Sequence, residues 1–259
     1  MSGAPGMRPI KAVPVFLLSG SMVFPQATLA EANGLLAVGG DLSPHRLLAA
    51  YSGGIFPWFS DGDPLLWWSP DPRLVLEPGW LHIPGSLKKT IRRGVFTVTC
   101  DQAFSEVIAR CARANRPEGQ GTWITREMMA AYIRLHELGH AHSVEAWTTG
   151  EGNPRLVGGL YGVALGGCFF GESMFHEQPD ASKVAFVTLV KKLEEWGFSL
   201  IDCQMTTHHL LRFGAREISR SAFLQTLERI LSQQVAQHSW NLSSVPDADS
   251  VGSAGTFPK

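Results

Sequence analysis

The run from Leu156 to Phe170 constrains the fold of this 259-residue chain more than any other stretch. It is the longest apolar segment, and Gly158, Gly159, Gly162, Gly166 and Gly167 interrupt it. A membrane-crossing helix needs about 20 predominantly apolar residues, so this run is too short and too broken to span a bilayer. With its neighbours it reads as three short strands, at about 142–148, 155–165 and 167–175. Phe96, Val98 and Cys100 alternate as an earlier strand, and Phe104, Val107, Ile108 and Cys111 follow at helical spacings of three and four. A second helix runs from Thr125 to Leu138, where Gly139 stops it. A helix over about 181–196 ends at Gly197 and leads into a strand from Phe198 to Cys203. Short helical turns and a last helix over about 220–235 complete the pattern.

The resulting order, β-α-α-β-β-β-α-β-α, resembles the acyl-transferase fold shared by N-acetyltransferases, in which substrates meet in a cleft near the centre of a mixed sheet. Upstream, Ser43-Pro44 reads as an N-cap and first helical residue, opening a helix through Leu47, Leu48 and Tyr51 that ends near Gly53-Gly54. Residues 55–72 then set Trp58, Trp67 and Trp68 among prolines, glycines and aspartates. Three indoles in irregular chain need a surface to pack on, which predicts a small unit closing against a larger one. The expected fold is α+β: residues 1–22 a flexible tail, 23–80 a small mixed N-terminal domain, 81–238 an acetyltransferase-like (GNAT-type) mixed-sheet catalytic domain, and 239–259 a disordered tail. That last stretch is Ser, Gly, Asp and Pro with few large apolar groups to offset its ordering entropy.

A hydrophobic content of 44% is ample for a core, and a net charge of −1 gives no global field toward nucleic acid. Any RNA contact must come from a local basic patch. Lys88, Lys89, Arg92 and Arg93 supply one: at i, i+1, i+4 and i+5 they project over one side of a helix, with no acidic residue for several positions either side. If all four touch phosphate, affinity falls with salt at a log–log slope of roughly −3 to −4. Cys100, Cys111, Cys168 and Cys203 show no Cys-x-x-Cys spacing and read as reduced thiols. Pro5, Pro9 and Pro14 interrupt the N-terminus before any signal-peptide core forms, so the expected location is cytoplasmic.

His136-Glu137-Leu138-Gly139-His140 matches the zinc motif H-E-x-x-H literally. Gly139 is a natural helix stop, however, and Ala141 to Glu145 continue with strand-like alternation, so the histidines read as a helix end and no metal is expected. The Gly-rich run lacks a G-x-x-x-x-G-K-[ST] phosphate loop, and no pyrophosphate loop for acetyl-CoA is evident. Glu172 stands at the end of the Gly-rich strand pair, while Asp202 and Gln204 close a strand of apolar neighbours. Two carboxylates and an amide in apolar sequence are costly to bury unless partnered. They form either a structural network or a reactive site.

Three long strings sharpen the reading: Asn33-Gly34-Leu35-Leu36-Ala37-Val38-Gly39-Gly40-Asp41-Leu42-Ser43-Pro44, Gly54-Ile55-Phe56-Pro57-Trp58-Phe59, and Trp67-Trp68-Ser69-Pro70-Asp71-Pro72-Arg73. With Gly121-Thr122-Trp123-Ile124-Thr125, Val157 to Val163, Gly171 to Phe175, Asp180 to Lys183 and Leu200 to Gln204, the chain resembles the leucyl/phenylalanyl-tRNA–protein transferases over about residues 24–230. The resemblance implies transfer of Leu or Phe, with Met a third candidate, from aminoacyl-tRNA to proteins with N-terminal Arg or Lys, marking them for N-degron degradation. It implies no cofactor, no membrane and a monomer. It also implies an aminoacyl pocket lined by Trp58, Trp123, Leu160, Phe169, Gly171, Met174, Leu189 and Ile201. The family commonly carries Arg at the position of Gly85.

Such a reaction is aminolysis of an activated ester, needing positioning, a proton acceptor and oxyanion stabilisation. A protein α-amine of pKa near 7.7–8 is already roughly a tenth to a fifth neutral at pH 7, so no strong base is required. Asp202 is expected to orient the amine and, with Gln204, pass on its proton. Glu172 orients that pair or adds negative potential for the acceptor's cationic side chain. A zinc protease, a cell-wall aminoacyl-tRNA ligase and a non-catalytic RNA-binding module are the alternatives.

Overall fold

Two mixed sheets pack into shared apolar clusters in the computed structural model, which describes residues 15–18, 20, 23–114, 123–148, 153–232 and 240. The smaller sheet holds β1 (Phe16–Leu18), β2 (Leu35–Gly39), β3 (Phe56–Pro57) and β4 (Leu66–Trp68) in the order β1-β2-β4-β3. Its β1 pairs with β2 in parallel, although residues 1–22 were expected as a loose tail. Apart from a few neighbours, the rest of both expected tails lies outside the described residues, as do Gly121-Thr122 and the end of the last expected helix. Trp240 is the exception in the C-terminal stretch: it stacks on His142 with ring centroids 3.8 Å apart. Helix α1 (Pro44–Ser52) joins β2 to β3 and ends at Gly53-Gly54, as its residues predict. Ser43 precedes it without a side-chain cap; Asp41 Oδ1 accepts the Ser43 N–H at 2.9 Å instead.

The chain enters the larger sheet through β5 (Arg73–Leu76), so the two sheets part between Trp68 and Arg73. Next come α2 (Gly85–Arg92), β6 (Phe96–Cys100), α3 (Phe104–Arg113), α4 (Arg126–Glu137), β7 (Ala141–Thr148), β8 (Leu156–Leu165) and β9 (Cys168–His176). The described elements close with α5 (Ala181–Glu195), β10 (Leu200–Gln204), α6 (His208–Leu211), β11 (Arg216–Ile218) and α7 (Arg220–Leu231). From β6 to α6 this is the order read from the sequence, in an α+β chain. The strand order is β11-β5-β10-β9-β8-β7-β6. One face buries Val107, Leu135 and Leu227 from α3, α4 and α7; the other buries Leu87 and Val190 from α2 and α5. Each such side chain contributes roughly 1.5–3 kcal/mol on full burial.

Two bulges part this sheet at its centre. Parallel β9 and β10 pair only over Cys168–Phe170 and Leu200–Asp202. On β9, Gly162 faces Gly171 while Tyr161 faces Ser173, leaving Glu172 as an extra residue. On β10, Asp202 faces Val75 and Gln204 faces Leu74, leaving Cys203 extra, and Gln204 takes a left-handed φ of 61°. A bulge bends its strand and re-aims the side chains beside it. Past Phe170 and Asp202 the strands are no longer bonded, and a cavity opens between them.

The glycines of β8 allow this close layering. A Cβ on Gly162 would sit 2.2 Å from the Phe170 carbonyl oxygen and 2.6 Å from the Phe169 ring. Backbone cannot yield as a flexible side chain would. Gly162→Ala should therefore lower stability by about 2–3 kcal/mol, read as a shifted urea midpoint; an unshifted midpoint would show that β8 slides freely past β9.

Candidate active site

The cavity at the parting has a volume of about 510 Å³. Trp58, Trp123, Leu160, Phe169, Gly171, Met174, Leu189 and Ile201, the eight residues expected as a pocket, all line it. The smaller sheet contributes Phe56, Pro57 and Trp58, so the cavity is built by both sheets. Trp58 is held by its neighbour: the Trp68 indole donates to the Trp58 carbonyl oxygen at 2.7 Å, with the rings 5.6 Å apart. Phe186, Cys203, Leu210 and His209 also line the wall. Sequence reasoning missed them because α5 reads as ordinary core and the segment after Gln204 carries no periodic signal.

Polar groups gather at one part of the lining. Glu172 Oε1 accepts hydrogen bonds from the Tyr51 hydroxyl at 2.7 Å and from Gln204 Nε2 at 2.9 Å, and Oε2 accepts from the Tyr132 hydroxyl at 3.0 Å. The two phenol oxygens also lie in close contact with each other; with both hydroxyl hydrogens directed at the ionised Glu172, that contact carries no hydrogen of its own. Burial pushes the Glu172 carboxyl up to about 7, against the downward pull of those three donors, and the charge on Asp202 adds to the rise. Burial and the Glu172 charge hold both phenols well above their ordinary range, so they remain donors. With its Nε2 spent on Glu172, the Gln204 amide keeps its oxygen for another partner.

Asp202 stands elsewhere, and its expected part in handling the amine is corrected. It does not line the cavity and is fully buried. Arg73 takes both of its oxygens, Nε to Oδ1 at 2.8 Å and Nη2 to Oδ2 at 2.6 Å. Oδ1 also accepts the Gln204 backbone N–H at 2.9 Å. Arg73 lies over the rings of Phe56 and Phe223, 4.9 and 4.5 Å from their centroids, and donates to the Gly54 carbonyl oxygen at 3.2 Å. A carboxylate so engaged cannot reach an incoming amine; it fixes the turn that presents Gln204. Arg73 and Asp202 are each a lone charge in an apolar strand, and that likeness was the available signal for pairing them.

On α2, Lys89 and Arg92 are exposed and Lys88 is half-buried, and Arg93 at its C-cap is exposed as well, with no ion-pair partner for any of the four among the described residues. The helix packs on the start of α5, where Thr90 Oγ1 lies 3.4 Å from Asp180 Oδ2. The H-E-x-x-H string is broken as expected: α4 ends at Glu137 and Gly139 takes a φ of 77°. Asp101, His136 and His142 instead come within 4.8 Å of one another. His136 Nδ1 faces the Ala141 carbonyl oxygen at 2.8 Å, so that nitrogen carries hydrogen and offers no lone pair to a metal.

Because Arg73 has no second counter-charge among the described residues, Asp202→Asn should cost about 3–5 kcal/mol of stability, and adding Arg73→Met should recover most of it. Denaturant unfolding of the single and double variants reads both values; a single variant as stable as the parent would remove the pair from the framework.

A family model described as Leucyl/phenylalanyl-tRNA protein transferase matches residues 75–228, and one for the N-terminal domain of the same proteins matches 40–71. The Leucyl/phenylalanyl-tRNA--protein transferase of Anaeromyxobacter sp. (strain K) is 59% identical over 230 residues, covering 89% of this chain and 97% of that protein. The protein of the same name from Syntrophotalea carbinolica is 61% identical over 216 residues, covering 83% and 92%, and that of Myxococcus xanthus 54% over 237, covering 91% and 100%. Among solved structures, L-PGS from Bacillus licheniformis overlaps with a TM-score of 0.37 at 10% identity, covering 67% of this chain and 54% of that one, too slight a likeness to bear on the fold. On the length and level of its identity to these relatives, the chain belongs to the leucyl/phenylalanyl-tRNA–protein transferase family of aminoacyltransferases.

Proposed function

We propose that this chain moves Leu or Phe from aminoacyl-tRNA onto the α-amine of proteins that begin with Arg or Lys, marking them for N-degron degradation. The observation that carries the reading is the Glu172 carboxyl, bonded to Gln204 and pushed up to about 7 by burial, at one part of a cavity whose remaining wall is mainly apolar. The apolar wall takes the amino-acid side chain, whose burial supplies roughly 1.5–3 kcal/mol. Polar side chains are rejected by desolvation, and β-branched ones by shape, at about 10–200-fold.

The acceptor's neutral amine attacks the ester carbonyl, the carbon–oxygen bond to the terminal ribose breaks, and the amine proton must leave. Gln204 accepts an N–H of the amine through its free amide oxygen. Glu172 receives the proton and returns it to the departing ribose oxygen. A pKa near 7 lies close to the 7.7–8 of the amine, so transfer in either direction costs little. The ionised Glu172 also adds negative potential for the acceptor's cationic side chain. On α2 and at its C-cap, Lys88, Lys89, Arg92 and Arg93 hold tRNA phosphates, and Gly85, with open space where a side chain would stand, leaves that cluster one cation short of the family's usual set.

Incubation with labelled Phe-tRNA and peptides differing only at residue one tests the assignment. Label should enter peptides starting with Arg and Lys; equal labelling of all peptides, or of none, would refute it. Catalysis by the ionised carboxyl predicts a second outcome. Turnover should rise with pH in two steps, through about 7 as Glu172 ionises and through the 7.7–8 of the acceptor amine, and Glu172→Gln should be slower and keep only the second step. A variant that keeps the parent's pH profile would remove Glu172 from proton transfer.

A further inference from the structure

His209 lines the cavity from α6, yet its Nε2 is buried and makes no hydrogen bond among the described residues. The ring meets Phe213 edge-on, with centroids 5.1 Å apart, which fixes its plane without satisfying the nitrogen. A buried unpartnered polar atom costs about 1–3 kcal/mol, so its presence in a cavity wall points to a ligand atom that completes it. An apolar amino-acid side chain offers no such atom. The charges of Lys183, Arg212 and His176 act on this imidazole and, with burial as the larger cause, lower its pKa. The ring is thus neutral at pH 7 and free to carry its hydrogen on Nε2, in a cationic setting that favours an anion.

The position fits one part of the substrate. Lys183 bonds Asp180 at 2.7 Å, and Asp180 meets Thr90 of the basic helix α2, which sets that helix beside the start of α5, from where Lys183 acts on His209. In an aminoacyl-tRNA the nearest anion to the ester is the phosphate on the other side of the same terminal ribose. Glu172, Gln204 and His209 line the same cavity, so an ester held at the first two would leave that phosphate, one sugar away, within the same lining.

We propose that His209 is a further substrate-binding residue, whose Nε2–H donates to the phosphate of the terminal nucleotide of the charged tRNA. The proposal rests on the aminoacyl-tRNA reading above. It adds a contact for the nucleotide to a cavity whose other named walls serve the amino acid.

The test uses two unreactive amide-linked analogues, phenylalanyl-3′-amino-3′-deoxyadenosine and the same compound extended by a 5′-linked cytidylyl phosphate. Dissociation constants come from the quenching of tryptophan fluorescence. His209→Ala should weaken the phosphate-bearing analogue about tenfold or more and leave the phosphate-free one within about twofold, which also shows that the cavity is intact. His209→Gln, whose amide N–H sits near the lost one, should keep most of the affinity. Equal losses for both analogues would make His209 a wall of the apolar slot and overturn the proposal, as would no loss for either. If the parent protein bound neither analogue, the aminoacyl-tRNA reading itself would fail.

Discussion

The pairing of Arg73 with Asp202 holds the centre of the molecule together. Two charges with 1% and 0% exposure are tolerable only when every donor and acceptor is met. Here the guanidinium reaches both carboxylate oxygens, a backbone carbonyl at the end of α1, and two aromatic faces. Those partners come from both sheets and from the last described helix: Phe56 from β3, Gly54 from the turn after α1, Asp202 from β10 and Phe223 from α7. One side chain therefore fixes how the smaller sheet meets the larger. The same carboxylate takes the Gln204 N–H, so the residue at the head of the cavity inherits its position from a contact that substrate never touches.

Glu172 and Asp202 show how like carboxyls acquire unlike duties on neighbouring strands. Asp202 faces a permanent cation and serves as a fixed charge. Glu172 faces two phenols and an amide, all neutral donors, which ease ionisation but do not offset the loss of water. Its rise to about 7 follows. The bulges put this difference to use, since Glu172 and Gln204 reach each other across strands that have stopped pairing.

Local periodicity made α3, α4 and α7 legible, because each buries a regular stripe, while α5 and β7 to β9, buried more broadly, were legible as apolar runs bounded by turn residues. It could not reveal β5 and β11, which have four and three residues and show no apolar–polar alternation. The slot residues were legible by family likeness, and their side chains are the types such a slot needs. The partner of Asp202 was signalled only by the lone charge that Arg73 also sets in an apolar strand, for it lies 129 residues away and only the fold brings it near. Tyr51 and Tyr132 were not legible: each sits among the apolar positions of a helix, and a sequence does not tell a ring that packs from one whose hydroxyl works. The bulges left no mark beyond glycines whose purpose appears only once Gly162 is seen against Phe169 and Phe170.

The slot's dependence on both sheets bears on how selectivity and reaction are joined. Were the pocket carved wholly from the larger sheet, the amino-acid side chain could bind without registering the position of the smaller one. Instead Phe56 packs against the Arg73 guanidinium while lining the cavity, and Tyr51 of α1 donates to Glu172. A shift of the smaller sheet would loosen the wall and withdraw a donor from the carboxyl together. Losing that donor would raise the Glu172 pKa further, since the phenol's hydrogen bond favours the ionised form. The fit of an apolar side chain and the readiness of the carboxyl to take a proton are thus two readings of one contact between the sheets.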